Sequence, residues 1–528
     1  MTVSPKPLRA IPAAAWLAGG CFFLHALWLS GLAEDAFISY RFARHLAAGH
    51  GWVWNLGEAP VEGFTNLLWV LVAALAAKVG ASPERVTVAL GVAAGLGTIF
   101  ATDHLAARVL ALGGPARGLI AGLLAASGPL AAWSASGLET VPFTFLVTAA
   151  LAVLLDPETG DSPPRLALGW GLVALATLTR PEGALLAGLL GLTALAPGGA
   201  RRGRLLAATG YGLFLVGLTL FRWYTFGALL PNTFYAKTGG GWEQVTRGAV
   251  YAAYFAFHFL LPLAPVVLLG LARPAPDRPW RAPSVLGGWV VGIGLYVIAV
   301  GGDYMAMDRF FVPVIPIVVA LVAWAADPWL RVAFEAPGSG AERRAAGLAV
   351  ALALAGTLVH STPLEAHLFA KAPRQHGTYR GVETERWHVA RLDRLARFFT
   401  ERAAGDPTAS LATGAIGVLG DRTPLTVYDF HGLVDAGIAR DGGSERPLGS
   451  GLPGHEKTDW PRILERRPTY WMFTRALRDE PEGWPRYDPE TDRRLREEYE
   501  LVHVELTDEV NGEQGWFGFL ERKKETGR

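Results

Sequence analysis

Eleven apolar stretches recur between residues 11 and 360, near 11–32, 63–78, 86–112, 117–133, 141–155, 166–197, 204–226, 247–271, 284–300, 310–326 and 345–360. A run of about 20 apolar residues crosses a bilayer. The pattern therefore predicts an α-helical integral membrane bundle of about 10–13 transmembrane helices. The stretch 166–197 is expected to split in two at Arg180-Pro181, because proline breaks a helix. Lys78 and Arg85 flank one end of the 86–112 stretch, and Arg108 and Arg117 the other. Positive charge at both ends conflicts with a simple crossing, so a re-entrant or surface-lying piece is expected somewhere in 63–112. The chain is 51% hydrophobic with a mean hydropathy of +0.27. Its net charge of +1 carries no basic stripe of the kind nucleic acid requires. Cys21 is the single cysteine, so no intrachain disulfide forms. Lys6 and Arg9 precede the first span, which is too long for a cleaved signal peptide. By the positive-inside rule they put the N-terminus in the cytoplasm and the following loop outside.

That external loop, residues 33–62, opens on the pair Glu34-Asp35 where the first helix surfaces. Such a pair can accept a proton or hold a metal at the membrane boundary. Phe37, Arg41, Arg44 and Ala48 then follow helical spacing, which reads as a short amphipathic helix with arginines placed for an anionic headgroup. Glu62, Thr65 and Asn66 crowd the loop's far end, and the alternative is a solvated loop whose arginines anchor a helix end.

Further polar interruptions follow. Glu139 precedes a helix start, either as a charge favoured by the macrodipole or as a second acid facing a site. Arg180 and Glu182 lie in an apolar setting, either as a pair closing the proline break or as functional charges. In 229–242, Asn232, Tyr235 and Lys237 sit at an interface, where Lys237 reads as a phosphate-binding point charge or as an anchor within an aromatic belt. In 301–311, Asp303, Asp308 and Arg309 stand between two apolar segments, with Asp308–Arg309 as the expected pair.

Beyond residue 360 the chain turns polar, with no further spanning segment. Residues 361–528 read as one extracytoplasmic mixed α/β domain: a helix over 387–402, then strands around turns in 410–420 and 424–430. His431 and Glu456 are candidates to reach a substrate, and His455 with Glu456 is too sparse for zinc. No phosphate loop, nucleophile elbow, His-Glu-x-x-His pair or Gly-x-Gly-x-x-Gly run is present.

The run EDAFISYR, then GHG, NLGE and VEGFTN, followed in order by TRPEG, GGD with a following RF, and YDFHGLVDAGIAR with GHEK, resembles the GT-C glycosyltransferases. Among these it is most similar to the terminal arabinofuranosyltransferases of actinobacterial cell walls. Those relatives usually carry Asp-Asp where this chain has Glu34-Asp35. The resemblance implies an enzyme of residues 1–360 capped by 361–528, in a bacterial plasma membrane. It would move a sugar from a polyprenyl-phosphate donor to a glycan, lipid or protein acceptor of the cell envelope, outside the cytoplasm. Glu34 or Asp35 would be the catalytic base, with Glu34 favoured. Arg41, Arg44, Arg180, Lys237 and Arg309 would serve the donor phosphate. Glu62, Thr65, Asn66, Glu139, Glu182, Asn232, Tyr235, Asp303, His431 and Glu456 would line the substrates. No cofactor is required by this reading. A divalent cation on Glu34, Asp35 and Glu139 is compatible with it, because hard cations favour carboxylate oxygen. The rival class is a secondary transporter or lipid flippase, whose broken helices and intramembrane charges would line a path.

Overall fold

Apolar segments in a bilayer must satisfy their own backbone hydrogen bonds, and helices do so within one segment. The computed structural model describes residues 13–158, 161–195, 201–273, 278–335, 340–359, 361–363, 379–444, 446–507, 512 and 514–524. Lys6, Arg9 and His360 lie outside the described residues. The helices are, in chain order, α1 (Ala13–Trp28), α2 (Glu34–Ala47), α3 (Leu67–Lys78), α4 (Pro83–His104), α5 (Gly114–Ala126), α6 (Gly128–Ser134) and α7 (Thr140–Leu154). Next come α8 (Pro163–Thr179), α9 (Gly183–Ala194), α10 (Arg201–Phe226), α11 (Asn232–Lys237), α12 (Gly241–Phe255), α13 (Ala264–Ala272), α14 (Arg281–Val300), α15 (Ile315–Phe334) and α16 (Gly340–Val359). The C-terminal part holds α17 (Tyr379–Arg402), β1 (Ser410–Thr413), α18 (Ile416–Arg422), β2 (Thr426–Asp429), α19 (Ala436–Asp441), α20 (Trp460–Glu465), β3 (Tyr470–Met472), α21 (Pro489–Glu498), β4 (Tyr499–Thr507) and β5 (Gln514–Arg522).

Five helical stretches are long and apolar enough to cross a membrane: Pro83–Val109, Arg201–Phe226, Gly241–Ala272, Arg281–Val300 and Arg309–Phe334. Five more, α1, α3, α5, α7 and α9, are apolar but shorter. The chain is a multi-pass membrane protein with a small C-terminal mixed sheet. At 12 residues, α3 is about 18 Å long, short of a hydrocarbon core of about 30 Å. The break at Arg180-Pro181 is present between α8 and α9.

Two compact units divide the chain, neither continuous in sequence. The first comprises Met1–Gly31, Val88–Gly217 and Gly248–Val382, and the second Leu32–Thr87, Leu218–Arg247 and Glu383–Arg528. The loop bearing Glu34 thus groups with the C-terminal sheet. In the first unit, α1 packs on α5, α5 on α15, and α7 on α8. Glycine lets α4 approach α6, and α12 approach α14, closely: a Cβ on Gly91 would strike the Ser134 carbonyl, and one on Gly248 the Ile298 carbonyl.

In the second unit the strand order is β2-β1-β3-β5-β4. β1 runs parallel to β2 and β3, while β5 is antiparallel to β3 and β4. Ala412, Phe430, Trp471, Tyr499 and Leu520 form its core with residues of α19 to α21. The strand expected through 410–420 ends at Thr413, and α18 follows. Short apolar runs do not distinguish a buried strand from a buried helix by periodicity.

Candidate active site

The second unit is knitted around α2. Glu34, the first residue of α2, is 8% exposed. Its carboxylate Oε1 accepts the Gly417 N–H at 2.6 Å and also receives the Val418 N–H, so the first side chain of α2 caps α18. The Glu34 backbone N–H donates to Glu385 Oε1 at 2.7 Å. Gly417 has no room for a side chain, since a Cβ there would collide with the Glu34 carbonyl oxygen. Burial, reinforced by Asp35 and Glu385, pushes the Glu34 carboxyl up to about 8. Asp35, one residue on, is half-buried.

Arg41 follows two helical turns later and is 6% exposed. Its Nε donates to the Trp54 carbonyl at 2.7 Å, and its Nη2 to Asn55 Oδ1 at 2.9 Å and the Leu425 carbonyl at 3.2 Å. Nη1 donates to the Gly420 carbonyl. Four of the five guanidinium N–H groups are spent on protein oxygens, and burial lowers the group to about 10. Arg44 is likewise engaged, with Asp421 at 2.8 Å and Glu84 at 2.5 Å. Both arginines fasten α2 to the segment around α18. The Arg41 fork is closed by protein oxygens.

The other loop residues are also tied down. Glu62 meets Arg222 with both oxygens at 3.0 Å, and burial still pushes it up to about 7 against the pull of that arginine. Asn66 and Ser39 exchange hydrogen bonds of 3.1 and 3.2 Å, and Thr65 stays partly exposed. Asn232 donates to the carbonyls of Gly432 and Leu433 at 2.8 and 2.9 Å. Tyr235 lies under Arg440 at 5.2 Å. Glu456 accepts the Gly449 and Gly451 N–H groups at 2.8 and 2.7 Å and meets Arg247 at 3.2 Å. Lys237, partly buried, has no ion-pair partner among the described residues. His431 stacks edge-on with His455, ring centroids 4.9 Å apart.

The first unit carries its own charge cluster. Arg180, in extended backbone at the end of α8, donates to Glu139 at 2.8 Å and Glu182 at 2.7 Å. The pair across the proline break is thus a triad with the acid preceding α7. Arg309 pairs with Asp303 at 2.5 Å. Asp308 and Met307 hold left-handed backbone at φ 47° and 57°, a costly conformation for residues with a Cβ. Trp133 Nε1 donates to the Ala306 and Met307 carbonyls at 3.1 and 3.2 Å and holds that turn. Arg180 and Arg309 each stand 5.2 Å from the Phe310 ring.

Of the expected cation site, Glu34 and Asp35 lie in the second unit and Glu139 in the first. Among the described residues no group of three or more His, Cys, Asp or Glu is placed to hold a metal ion.

Residues 378–519 match a family described as a domain of unknown function, DUF8728. The chain is 30% identical over 315 residues to the Terminal beta-(1->2)-arabinofuranosyltransferase of Mycobacterium tuberculosis, covering 52% of this chain and 49% of that protein. It is 28% identical over 352 residues to the protein of the same name from Corynebacterium glutamicum, covering 58% and 50%. The chain therefore spans about half the length of these relatives. ArnT from Cupriavidus metallidurans, solved in its apo state, superposes with a TM-score of 0.55 at 15% identity, over 96% of this chain and 97% of that one. The chain has the GT-C fold.

Arg222, Glu385 and Gly417 join the site in the structure without a clear signal in the sequence around them. Arg222 carries a partial one: an arginine inside an apolar span requires a partner, and Glu62 is that partner. Glu385 sits in a charge run, and Gly417 among many glycines, so nothing local marks either.

Proposed function

We propose that this protein is a membrane glycosyltransferase that moves a sugar from a polyprenyl-phosphate donor to a cell-envelope glycan, lipid or protein. The acceptor would be met on the extracytoplasmic side of the bacterial plasma membrane. The observation that carries the reading is the asymmetry of the acid pair. Glu34 is buried with its oxygen on α18, whereas Asp35 remains half-buried beside it. Asp35 is therefore the base in this proposal and Glu34 its anchor. This reverses the order favoured by aligning the first acid with the family pattern. Likeness to ArnT, one structure of which is bound to undecaprenyl phosphate at a TM-score of 0.53, supports a donor of that class.

In the reaction, the Asp35 carboxylate takes the proton of an acceptor hydroxyl. The hydroxyl oxygen attacks the anomeric carbon, and the bond from that carbon to the phosphate oxygen breaks. The electron pair leaves with the lipid phosphate, and one direct displacement inverts the anomeric centre. A positioned carboxylate base contributes about 10²–10⁴-fold. Arg41, Arg44, Arg180 and Arg309 are each occupied by protein oxygens. Lys237, which has no ionic partner among the described residues, is the cation assigned to the departing phosphate.

Transfer from a panel of synthetic polyprenyl-phosphate sugars to membrane extracts, read by mass spectrometry, tests the class. Asp35→Asn is expected to abolish transfer while donor binding persists. Glu34→Gln keeps measurable turnover, because an amide oxygen still accepts the Gly417 N–H. Full activity in Asp35→Asn with none in Glu34→Gln would return the base to Glu34.

A further inference from the structure

We propose that Arg222, Asn232 and Thr233 form a binding site for the neighbouring hydroxyls of an uncharged sugar, with Glu62 holding the site together. It rests on the reading above only in taking that sugar from the donor or the acceptor. All four residues belong to the second unit. Glu62 is the hub. Its two carboxylate oxygens each lie 3.0 Å from Arg222 Nε, and its backbone carbonyl accepts the Asn232 N–H, also at 3.0 Å. Trp52 borders the same cluster. Its carbonyl accepts the Val61 N–H at 3.1 Å, and its ring packs against Phe221 and Phe226 with centroids 6.1 and 6.2 Å apart.

Three groups in this cluster have hydrogen-bonding capacity that the described protein does not use. Asn232 is 4% exposed and Thr233 8%. Both amide hydrogens of Asn232 go to the Gly432 and Leu433 carbonyls, at 2.8 and 2.9 Å. Those bonds fix which way the amide faces, and they leave Oδ1 as a buried acceptor with no donor. Thr233 Oγ1 is buried without a hydrogen-bond partner as well. A buried polar atom left unmade is costly, and two on consecutive residues call for a partner from outside the chain. Arg222 offers the complement. Only its Nε is used on Glu62, and among the described residues Nη1 and Nη2 make no hydrogen bond, although the side chain is 11% exposed. The cluster thus presents a guanidinium edge that donates twice, an amide oxygen that accepts, and a hydroxyl that does either. A sugar diol matches this set: its oxygens accept from the guanidinium, and its hydrogens go to Asn232 Oδ1 and Thr233 Oγ1. The charge balance selects against an anion. Arg222 is already countered by Glu62, so a phosphate or carboxylate here would meet a carboxylate. Trp52, half-buried beside the pair, adds apolar surface for the CH groups of the ring.

Saturation-transfer NMR of the full-length protein, in a detergent without a sugar headgroup, tests the site. It is run at pH 8, where Glu62, pushed up to about 7, is ionised. The probes are the methyl glycosides of arabinofuranose, mannose, glucose and galactose. The wild type is expected to transfer saturation to the ring protons of at least one. Thr233→Val keeps the shape and removes the hydroxyl, and it weakens that binding by about two- to tenfold, the range of one neutral hydrogen bond. Arg222→Lys keeps a cation for Glu62 and loses the fork, with a loss of about tenfold, or roughly 1.4 kcal/mol. Thermal unfolding of both variants is measured alongside, and if Arg222→Lys does not fold, Thr233→Val decides. Displacement of the glycoside by a short-chain polyprenyl-phosphate sugar supports the donor as the source. Glycoside that stays bound beside that lipid supports the acceptor. No saturation transfer from the wild type, or equal affinity in wild type and folded variants, overturns the site and leaves Asn232 Oδ1 and Thr233 Oγ1 to water. Binding requires no turnover, so a wild type that binds a glycoside and transfers no sugar sinks the functional reading and leaves this one standing.

Discussion

At the scale of single residues, Arg41 and Glu34 show how a charge in a plausible place can be spent on architecture. Arg41→Lys removes a fork that reaches four oxygens and leaves a point charge that cannot satisfy them. The expected result is a loss of about 2–4 kcal/mol of stability, since hydrogen bonds to charged groups are worth about 1.5–3 kcal/mol each. The KM for donor should stay within a factor of about two, well under the tenfold that 1.4 kcal/mol of lost binding produces. Thermal unfolding beside donor titration measures both, and a raised KM at unchanged stability would restore Arg41 as a phosphate ligand. Glu34 gives a pH signature. Its carboxyl is held near 8 in the fold against an ordinary 4.5, so between those values the folded protein binds more protons than the unfolded chain. Stability therefore falls as pH rises through that window, by up to about 1.4 kcal/mol per pH unit. Glu34→Gln should flatten the slope of melting temperature against pH from 5 to 8.

At the scale of elements, the helix order and the proline break were legible because hydrophobic length and proline act locally. The role of α18 was not. Its first N–H groups find their acceptor in Glu34, 383 residues away in sequence, and no spacing rule reaches that far. The same holds for Arg309. The neighbour in sequence, Asp308, was the expected partner, but Asp308 sits in a left-handed turn and Asp303 takes the guanidinium. The Glu62–Arg222 pair was half legible, from an arginine within an apolar run. Where Arg180 joins Glu139 and Glu182, the break between α8 and α9 is closed by charge. Arg180→Met would leave two buried carboxylates without their cation, at a cost of about 3–5 kcal/mol. Adding Glu139→Gln and Glu182→Gln should recover part of it. Thermal unfolding of the single and triple variants checks this, and equal losses would mean the triad is not coupled. Gly417→Val puts a side chain into the Glu34 backbone and should unfasten α18 from α2, seen as faster hydrogen exchange at both elements.

At the scale of the whole molecule, the second unit draws Leu32–Thr87, Leu218–Arg247 and Glu383–Arg528 into one body. Residues of that body should face one side of the membrane. Ser39 and Thr413 are buried and unsuited to labelling, whereas Ala48 and Thr408 are exposed. With Cys21 replaced by Ser, cysteines at positions 48 and 408 should both react with an impermeant maleimide added from outside. Reaction of only one would break the shared orientation. The cap that Glu34 gives to α18 also sets a clock. A ribosome makes about 5–20 residues per second, so the acid of α2 waits roughly 20–80 s for a partner 383 residues downstream. Throughout that interval the Glu34 carboxylate is without its N–H donors on α18. A nascent chain cut short before α18 lacks the N–H groups that hold the Glu34 carboxylate, so the Glu34 side chain is expected to stay unfastened until α18 is made.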